Sequence, residues 1–396
     1  MTQAAGAEPR RAIGAGRLAH RLSRARHLAV EAGVDALLVG VGADLLYLAG
    51  YRALPLERLT MLVVPAVGRP SLIVPRLESM AARATAVAEA GTVAVMPWDE
   101  RDDPVDLVCA AIGLEGGGSG GRGVRMVAVS DRLWATFLLR LQAALPGTRF
   151  DVLSGVLRGE RVVKDPDEVE LLRAAAHAAD RVIETIAHGR LIGRSEADVS
   201  REIRDRLLAE GHDEASFAIV GSGPNSASPH HQPTDRTIRA GEPIVLDIGG
   251  TLAGYGSDVT RTLWVTGGDP AKGPDRHFLT LYAVLRAAQA EATHAVRPGV
   301  PAERVDAVAR EIIGAAGFAD HFIHRTGHGI GLEEHEDPYL VAGNGEPLRA
   351  GMAFSVEPGI YFEGRHGARI EDIVVCGEAG PIVLNAVTRE LLVVHG

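Results

Sequence analysis

The first 160 residues alternate between helical and strand-like hydrophobic patterns. Apolar positions recur at helical spacing over 18–32, 80–90 and 133–144. Apolar runs between them predict strands at VDALLVG, DLLYLAGY, TMLVVP, SLIVP, TVAVMPW and RMVAVS. The glycine-rich run 114–123 predicts a surface loop, since it lacks the Lys-Ser/Thr of a phosphate-binding loop. This alternation predicts a mixed α/β domain.

After about residue 160 the pattern changes to long helices followed by long strands. Asp165-Pro166-Asp167-Glu168 predicts a helix start, because acidic side chains are favourable in a first helical turn. Further helices are predicted over 195–210, 277–295 and 302–315. Strands are predicted at SFAIVGSG, EPIVLDIGG, SDVTRTLWV, MAFSVEPGIYF, ARIEDIVVC and ELLVVHG. The change of pattern predicts a second domain over 161–396, after a first domain over 1–160.

Composition narrows the classes of function. A chain of 396 residues suits two domains, and 46% hydrophobic with 23% charged residues describes a globular protein. Only two cysteines occur, so neither a disulfide framework nor a thiolate zinc site is expected. The N-terminus has no apolar signal-peptide core, which predicts a cytoplasmic protein without a membrane anchor. A net charge of −10 argues against a nucleic-acid partner.

Five residues of the types that bind metal occur in distinctive surroundings. They are Asp247 in IVLDIGG, Asp258 in GSDVTRT, His328 in HRTGHGIGLEEHE, Glu357 in SVEPGIY and Glu371 in ARIEDIV. Four carboxylates that converge repel one another unless cations neutralise them, so their convergence requires metal. A hairpin-like connection through GGTLAGYG places Asp247 near the end of one strand and Asp258 near the start of the next. Oxygen and imidazole donors without sulfur suit manganese, zinc, cobalt or iron.

The order Asp, Asp, His, Glu, Glu with these surroundings resembles the metallopeptidases of the methionine aminopeptidase, aminopeptidase P and prolidase superfamily. The similarity extends from about Glu160 to the C-terminus, and the earlier part resembles the creatinase/prolidase N-terminal domain. It implies an α/β N-terminal domain over 1–160 and an α+β catalytic domain of the pita-bread fold over 161–396.

The resemblance also implies two divalent ions per chain, with Mn²⁺ expected and Zn²⁺, Co²⁺ or Fe²⁺ as alternatives. Asp247 is expected to chelate one ion, Asp258 and Glu371 to bridge both, and His328 and Glu357 to complete the second. Two neighbouring ions lower the pKa of a shared water and polarise a carbonyl, which is the chemistry of peptide hydrolysis.

Further roles follow from the same resemblance. Glu357 is expected to deliver a proton to the leaving amine, His230 to contact substrate, and His335 to stabilise the oxyanion or the substrate carbonyl. Arg369 stands two residues before Glu371, so on a strand both face one side, where Arg369 can pair with that carboxylate or with substrate.

Other histidines lie close to this set along the chain. His324 is expected to support the site or the fold. Two histidines on a predicted helix, His277 and His294, are expected to face solvent, whereas the remaining three are expected at the surface or behind the ligands: His231, His321 and His366.

One departure from the family pattern leaves the substrate open. Many prolidases place a basic residue directly after His-Glu-x-Pro, where it holds the free carboxylate of the substrate, but here Tyr339 stands there, with Arg349 nearby. Hydrolysis of Xaa-Pro dipeptides is the first hypothesis. Alternatives are an Xaa-Pro aminopeptidase, a hydrolase or lyase of a small non-peptide substrate like ectoine hydrolase or creatinase, and a binding protein without activity.

A homodimer is also expected, since relatives with this domain layout usually dimerise. The N-terminal domain of one chain, around Arg52, is expected to wall the active site of the other. The expected partner is otherwise a small peptide that contains proline.

Overall fold

The computed structural model describes residues 13–113 and 123–396. The described residues form two compact units, one up to residue 161 and the other over 162–396. The loop predicted at 114–123 lies outside the described residues, apart from Gly123. Within the described residues, no helix combines the length and apolar character needed to cross a bilayer.

The N-terminal unit is built on one mixed sheet. Its helices are α1 Ala15–Glu31, α2 Ala43–Ala49, α3 Ser79–Arg83, α4 Ala86–Glu89, α5 Pro104–Ile112, α6 Ala135–Ala144 and α7 Ser154–Val162. Its strands are β1 Ala36–Gly40, β2 Met61–Pro65, β3 Ser71–Pro75, β4 Ala94–Trp98, β5 Met126–Val129 and β6 Arg149–Val152. The strand order is β4-β3-β2-β1-β5-β6, with β1 antiparallel to β2 and parallel to β5. Every residue of β1, β2 and β3 is buried, as expected for strands covered on both faces.

The second unit has four long helices and three sheets. Its helices are α8 Pro166–Ala187, α9 Glu196–Ala209, α10 Arg276–His294 and α11 Ala302–Ala315. Its strands are β7 Glu214–Ser222, β8 Glu242–Leu252, β9 Tyr255–Val265, β10 Gly327–Gly329, β11 Glu336–Leu340, β12 Ala353–Val356, β13 Gly359–Phe362, β14 His366–Arg369, β15 Asp372–Gly377, β16 Gly380–Val383 and β17 Leu392–Val394. The strand orders are β17-β9-β8-β7, β11-β10-β12-β15-β16 and β13-β14.

Each of the two larger sheets packs against its own helix pair. Helices α8 and α9 share one apolar core with β7, β8 and β9, and α10 and α11 share another with β12, β14 and β15. The two units therefore have the predicted α/β and α+β classes.

The start of α8 follows the predicted chemistry. The Asp165 side chain accepts a hydrogen bond from the Glu168 backbone, Glu168 accepts one from the Asp165 backbone, and Pro166 is the first helical residue. This reciprocal pair satisfies two amides that a helix N-terminus leaves without an intrahelical acceptor.

The strand predicted at DLLYLAGY is wrong, because residues 43–49 form helix α2. Leu45, Leu48 and Ala49 are buried at helical spacing, and Gly50 ends the helix at a φ of 62°. An apolar run this short does not by itself distinguish a strand from a helix that is buried along most of its length.

The single helix predicted over 80–90 is also wrong, since α3 and α4 are separate. Thr85 has extended backbone angles, and its hydroxyl donates to the carbonyl oxygen of Ala82. Threonine competes in this way with the helical pattern of hydrogen bonds.

Candidate metal centre

The β8–β9 hairpin places two acidic side chains on one face of its sheet. Asp247 is directly opposite Thr260, and Asp258 precedes Thr260 by two residues on β9. Opposed residues share a face, and so do residues two apart on one strand. Asp247, Asp258 and Thr260 therefore project to the same side, which is the convergence that the sequence predicts.

The glycines after Asp247 lie within the strand instead of in the predicted link. A Cβ at Gly249 would lie 2.3 Å from the Phe217 ring, and one at Gly250 would lie 2.1 Å from the Glu214 carbonyl oxygen. These glycines allow β7 to approach β8 closely, so the turn shortens to Ala253-Gly254. Asp247 consequently lies at the middle of β8.

His328 is held between two glycines on the short strand β10. A Cβ at Gly327 would lie 1.9 Å from the Ser355 carbonyl oxygen, and one at Gly329 would lie 2.1 Å from the Asp337 carbonyl oxygen. The His328 Nδ1 atom lies 3.1 Å from the Gly329 carbonyl oxygen. Because a carbonyl only accepts, Nδ1 carries the hydrogen, and Nε2 is left to act as a ligand.

The Nε2 atom of His328 faces two carboxylates. It lies 3.2 Å from Glu357 Oε1 and 3.6 Å from Asp258 Oδ2. Ser355 fixes both residues, since its hydroxyl accepts from the His328 amide at 3.0 Å and donates to Glu357 Oε1 at 3.0 Å.

Glu371 completes the group from the segment between β14 and β15. Its amide donates to the Thr260 carbonyl oxygen, and the Thr260 hydroxyl donates to Glu371 Oε2 at 2.6 Å. One ligand atom each from Asp258, His328 and Glu371 lies within 4.8 Å of the others. The structure thus brings Asp258, His328 and Glu371 together, and Glu357 lies beside His328.

The electrostatics of this group indicate a missing positive charge. Burial, followed by the charges of neighbouring carboxylates, raises the pKa values of Asp258 and Glu371 well above the ordinary ones. Burial also raises the pKa of Asp247, although Arg369 opposes that shift. In the described part of the chain, Asp247 Oδ1 and Glu371 Oε1 are buried without a hydrogen-bond partner. Unsatisfied buried oxygens are costly, and divalent cations would satisfy them, so the donor set fits metal.

Glu357 behaves differently from the other three acids. Burial raises the pKa of its carboxyl. With no metal bound, His328 can carry a second hydrogen on Nε2, and the hydrogen bond and charge of that imidazolium outweigh burial and lower the pKa of Glu357 to about 2. This carboxylate is therefore ionised at neutral pH.

The Arg369 guanidinium is held by hydrogen bonds and an ion pair beside the candidate metal ligands. Its guanidinium pairs with Asp247 Oδ2, donates to the Thr260 hydroxyl at 3.1 Å and to the Tyr361 hydroxyl at 2.9 Å. The side chain is 3% exposed. Arg369 and Glu371 meet at Thr260, on the common side that their spacing predicts. The donors of Arg369 thus serve Asp247, two hydroxyls and the Pro229 carbonyl oxygen, and they leave little for a substrate.

His324 extends this network behind the ligands. Its Nδ1 donates to the Arg325 carbonyl oxygen at 2.7 Å, so its Nε2 accepts from the Tyr361 hydroxyl at 2.9 Å. The same hydroxyl accepts from Arg369. His324 therefore orients Tyr361, which orients Arg369.

His335 and His230 lie beside the ligand group. The His335 ring centroid is 4.0 Å from that of His328, at an interplanar angle of 70°. Partial burial, with the charges of His328 and Arg325, lowers the His335 pKa to about 4, and His230 is near enough to add to this effect. His335 is consequently neutral at pH 7 and can donate an N–H.

Five other histidines were named from the sequence, and four of them are buried or half-buried. His231 Nε2 donates to Glu196, and His321 stacks on Phe362 at 3.8 Å between centroids. His294 is exposed as predicted, but the prediction for His277 is wrong. The His277 ring is half-buried, 5.0 Å from Phe362 and 5.5 Å from His366, because residues 359–369 fold back over α10 as a hairpin.

Sequence reasoning missed Thr260, Tyr361 and Arg325. Alternating polar positions in DVTRT are the signal for Thr260, whereas Tyr361 and Arg325 have none. Tyr339 is opposite His328 in the strand pairing, and the Arg325 guanidinium carbon lies 4.5 Å from the Tyr339 ring centroid. Within the described residues, no hydrogen bond or ion pair engages this guanidinium. Arg325 thus presents an available positive charge beside His335.

Comparison with known proteins agrees with this geometry. Residues 170–378 match metallopeptidase family M24, and residues 21–163 match the creatinase/prolidase N-terminal domain. The chain is 47% identical to the probable dipeptidase PepE of Mycobacterium tuberculosis over 377 residues, which is 95% of this chain and 96% of that one.

Solved structures extend the similarity. Dipeptidase PepE from Mycobacterium ulcerans is 45% identical with a TM-score of 0.87, covering 97% of this chain and 100% of that one. The prolidase from Thermococcus sibiricus is 34% identical with a TM-score of 0.87 and the same coverage. The expected family, pita-bread fold and divalent-metal chemistry are thereby confirmed, and this chain belongs to metallopeptidase family M24.

Proposed function

We propose that this protein hydrolyses Xaa-Pro dipeptides with two divalent ions held by Asp247, Asp258, His328, Glu357 and Glu371. The observation that carries the proposal is the grouping of Asp258, His328 and Glu371, with Glu357 beside His328 and buried oxygens on Asp247 and Glu371 that have no partner among the described residues. Membership of family M24 supports peptide hydrolysis as the reaction at this site. The similarity to a prolidase and a dipeptidase supports dipeptides as the substrates. A donor set dominated by carboxylates favours Mn²⁺.

Bound ions would activate water and polarise the scissile carbonyl. The chain supplies the remaining steps. Glu357, which is ionised at neutral pH, takes a proton from the water that attacks the carbonyl carbon and passes it to the proline nitrogen as the C–N bond breaks. His335 donates an N–H to the oxygen that gains negative charge, and His230 holds the N-terminal side of the substrate.

We propose that Arg325 holds the free carboxylate of the dipeptide. Tyr339 occupies the position of the basic residue with which many prolidases hold the substrate carboxylate. The Arg325 guanidinium stacks on the Tyr339 ring. A planar guanidinium stacked on a ring is preorganised and still presents its edge to a carboxylate. Arg369 is engaged by Asp247, and Arg349 is exposed without a contact to the ligand group among the described residues.

Replacing Arg325 by glutamine should make the enzyme indifferent to the substrate carboxylate. A charge-assisted hydrogen bond contributes ~1.5–3 kcal/mol, so kcat/KM for an Xaa-Pro dipeptide should fall about tenfold to a hundredfold. The wild type should cleave the C-terminal amide of the same dipeptide poorly, and the substitution should not change kcat/KM for that amide. Steady-state kinetics on the acid and amide pair measures both.

Arg349→Gln is the matched control, since it removes an exposed arginine close in sequence. If Arg349→Gln alone suppresses acid cleavage, the anchor is Arg349 and the Arg325 assignment is wrong. Equal cleavage of acid and amide by the wild type would instead favour an Xaa-Pro aminopeptidase, which an Xaa-Pro-Yaa tripeptide tests directly. Cleavage of ectoine but of no peptide would move the function to a small non-peptide substrate.

We also propose a cytoplasmic homodimer without a nucleic-acid partner. The N-terminal unit exposes apolar side chains such as Leu54, Leu77 and Met80, at 72%, 77% and 83% exposure, and such surface favours self-association. Light scattering of the active enzyme should report a dimer. A fully active monomer would contradict the proposal.

A further inference from the structure

A buried carboxylate remote from the ligands organises the segment that carries His230. Glu196, the first residue of α9, is fully buried, and its two oxygens accept from Ser222, Asn225, His231 and Thr234. Ser222 and Thr234 each donate both their amide and their hydroxyl, so six separate donors converge on one side chain. A carboxylate has about four lone-pair sites, so six donors use the full hydrogen-bonding capacity of both Glu196 oxygens.

These four partners bracket His230 in sequence. Ser222 and Asn225 precede it, and His231 and Thr234 follow it, so Glu196 draws both ends of the segment 222–234 toward α9. His230 lies exposed at the bend between them. Within the described residues, none of the hydrogen bonds of the Glu196 side chain involves a candidate metal ligand.

The opposite side of the segment is fixed to β14. The Gly367 amide donates to the Ser226 hydroxyl at 2.9 Å, and Arg369 Nη1 donates to the Pro229 carbonyl oxygen at 3.3 Å. A Cβ at Gly367 would lie 2.5 Å from the Ser226 carbonyl oxygen, so the two backbones touch. The segment is thus held between a buried charge on one side and the arginine that pairs with Asp247 on the other.

We propose that Glu196 is a positioning residue that sets the place of His230 in the substrate site by gathering the segment 222–234. The proposal rests on the substrate-binding role of His230 in the proposed function. Six donors on one carboxylate leave this segment a single arrangement, because any shift would leave buried donors unpaired. Hydrogen bonds from His231 and Ser222 overcome the effect of burial and lower the Glu196 pKa to about 2, so the carboxylate stays ionised.

The test is a double-mutant cycle between Glu196→Gln and His230→Ala in the metal-loaded enzyme. Glutamine keeps the size of the side chain but turns one acceptor into a donor. Loss of one well-placed substrate hydrogen bond should lower kcat/KM for an Xaa-Pro dipeptide about tenfold, mainly through KM. In the His230→Ala background the same change should alter kcat/KM less than twofold, because the residue through which Glu196 acts is absent. Equal losses in both backgrounds would overturn the proposal.

Glu202→Gln is the control on the same helix. Glu202 pairs with Arg194 and Arg206, outside the segment, and its loss should leave KM unchanged. Thr234→Val removes one hydroxyl donor to Glu196 without changing side-chain size. If Glu196→Gln does not fold, Thr234→Val takes its place in the double-mutant cycle with His230→Ala.

Hydrogen exchange of the substrate-free protein provides a readout that does not depend on the reaction. Glu196→Gln should speed amide exchange within residues 222–234 and leave α10 unchanged. Unaltered exchange in the segment would contradict the positioning role. A wild type inactive on Xaa-Pro dipeptides would contradict the proposed function, and exchange would still decide whether Glu196 orders the segment.

Discussion

Glu371→Ala is expected to lose both metal ions and all measurable peptidase activity, whereas the wild type should hold about two ions per chain. In the proposed assignment Glu371 would serve both ions, and its Oε1 has no other partner among the described residues. Thr260 holds the second oxygen at 2.6 Å, so the side chain is already aimed before metal binds. Asp258→Ala should behave in the same way. Elemental analysis of protein dialysed against a defined metal buffer measures the occupancy.

Thermal melting separates this loss from misfolding. A ligand that binds only the folded state stabilises by about 2.7 kcal/mol at a hundredfold excess over Kd, so Mn²⁺ should raise the Tm of the wild type. Glu371→Ala should melt cooperatively and show no such rise. Glu378→Ala, an exposed acid on the turn that joins β15 to β16, is the matched control and should keep both metal and activity. Full metal occupancy in Glu371→Ala would refute the bridging assignment.

Part of the ligand grouping could be predicted because the ligand types are demanded by chemistry rather than by packing. Asp247 interrupts the otherwise apolar run IVLDIGG, Asp258 is one of the alternating polar positions of DVTRT, and the glycines around His328 mark close backbone contact. The glycines that follow Asp247 were harder to interpret, because they were predicted to form a link between two strands. Only the position of Phe217 on β7 explains why Gly249 belongs to the strand.

Residues that act through distant partners were not predictable. Glu196 looks like an ordinary acid in a first helical turn, and its six donors come from residues 26 to 38 positions later. Arg325 is separated from Tyr339 by the whole turn that carries His335, so their stacking depends on the pairing of β10 with β11. The strand prediction for the short apolar run DLLYLAGY was wrong for a different reason. Helix α2 is buried along most of its length and has almost no polar face, so its sequence lacks a helical pattern of polar residues.

His335→Ala should keep its metal and lose most of its turnover. The ring contacts the His328 ring and is assigned to charge stabilisation rather than to metal binding, so its removal should leave the donor set intact. A single preorganised donor to developing charge is worth roughly 10²–10³ in kcat. Burial and nearby positive charge keep this imidazole neutral at pH 7, which leaves it one N–H to donate.

Two further variants decide whether the donor is what matters. His335→Gln offers an amide N–H in a similar place and should recover part of the lost kcat, whereas His335→Phe restores only the ring and should not. His294→Ala removes an exposed histidine from the end of α10 and should be indistinguishable from wild type. Near-wild-type kinetics in metal-replete His335→Ala would show that the ring merely packs on His328, and equal rescue by phenylalanine and glutamine would point to the same conclusion.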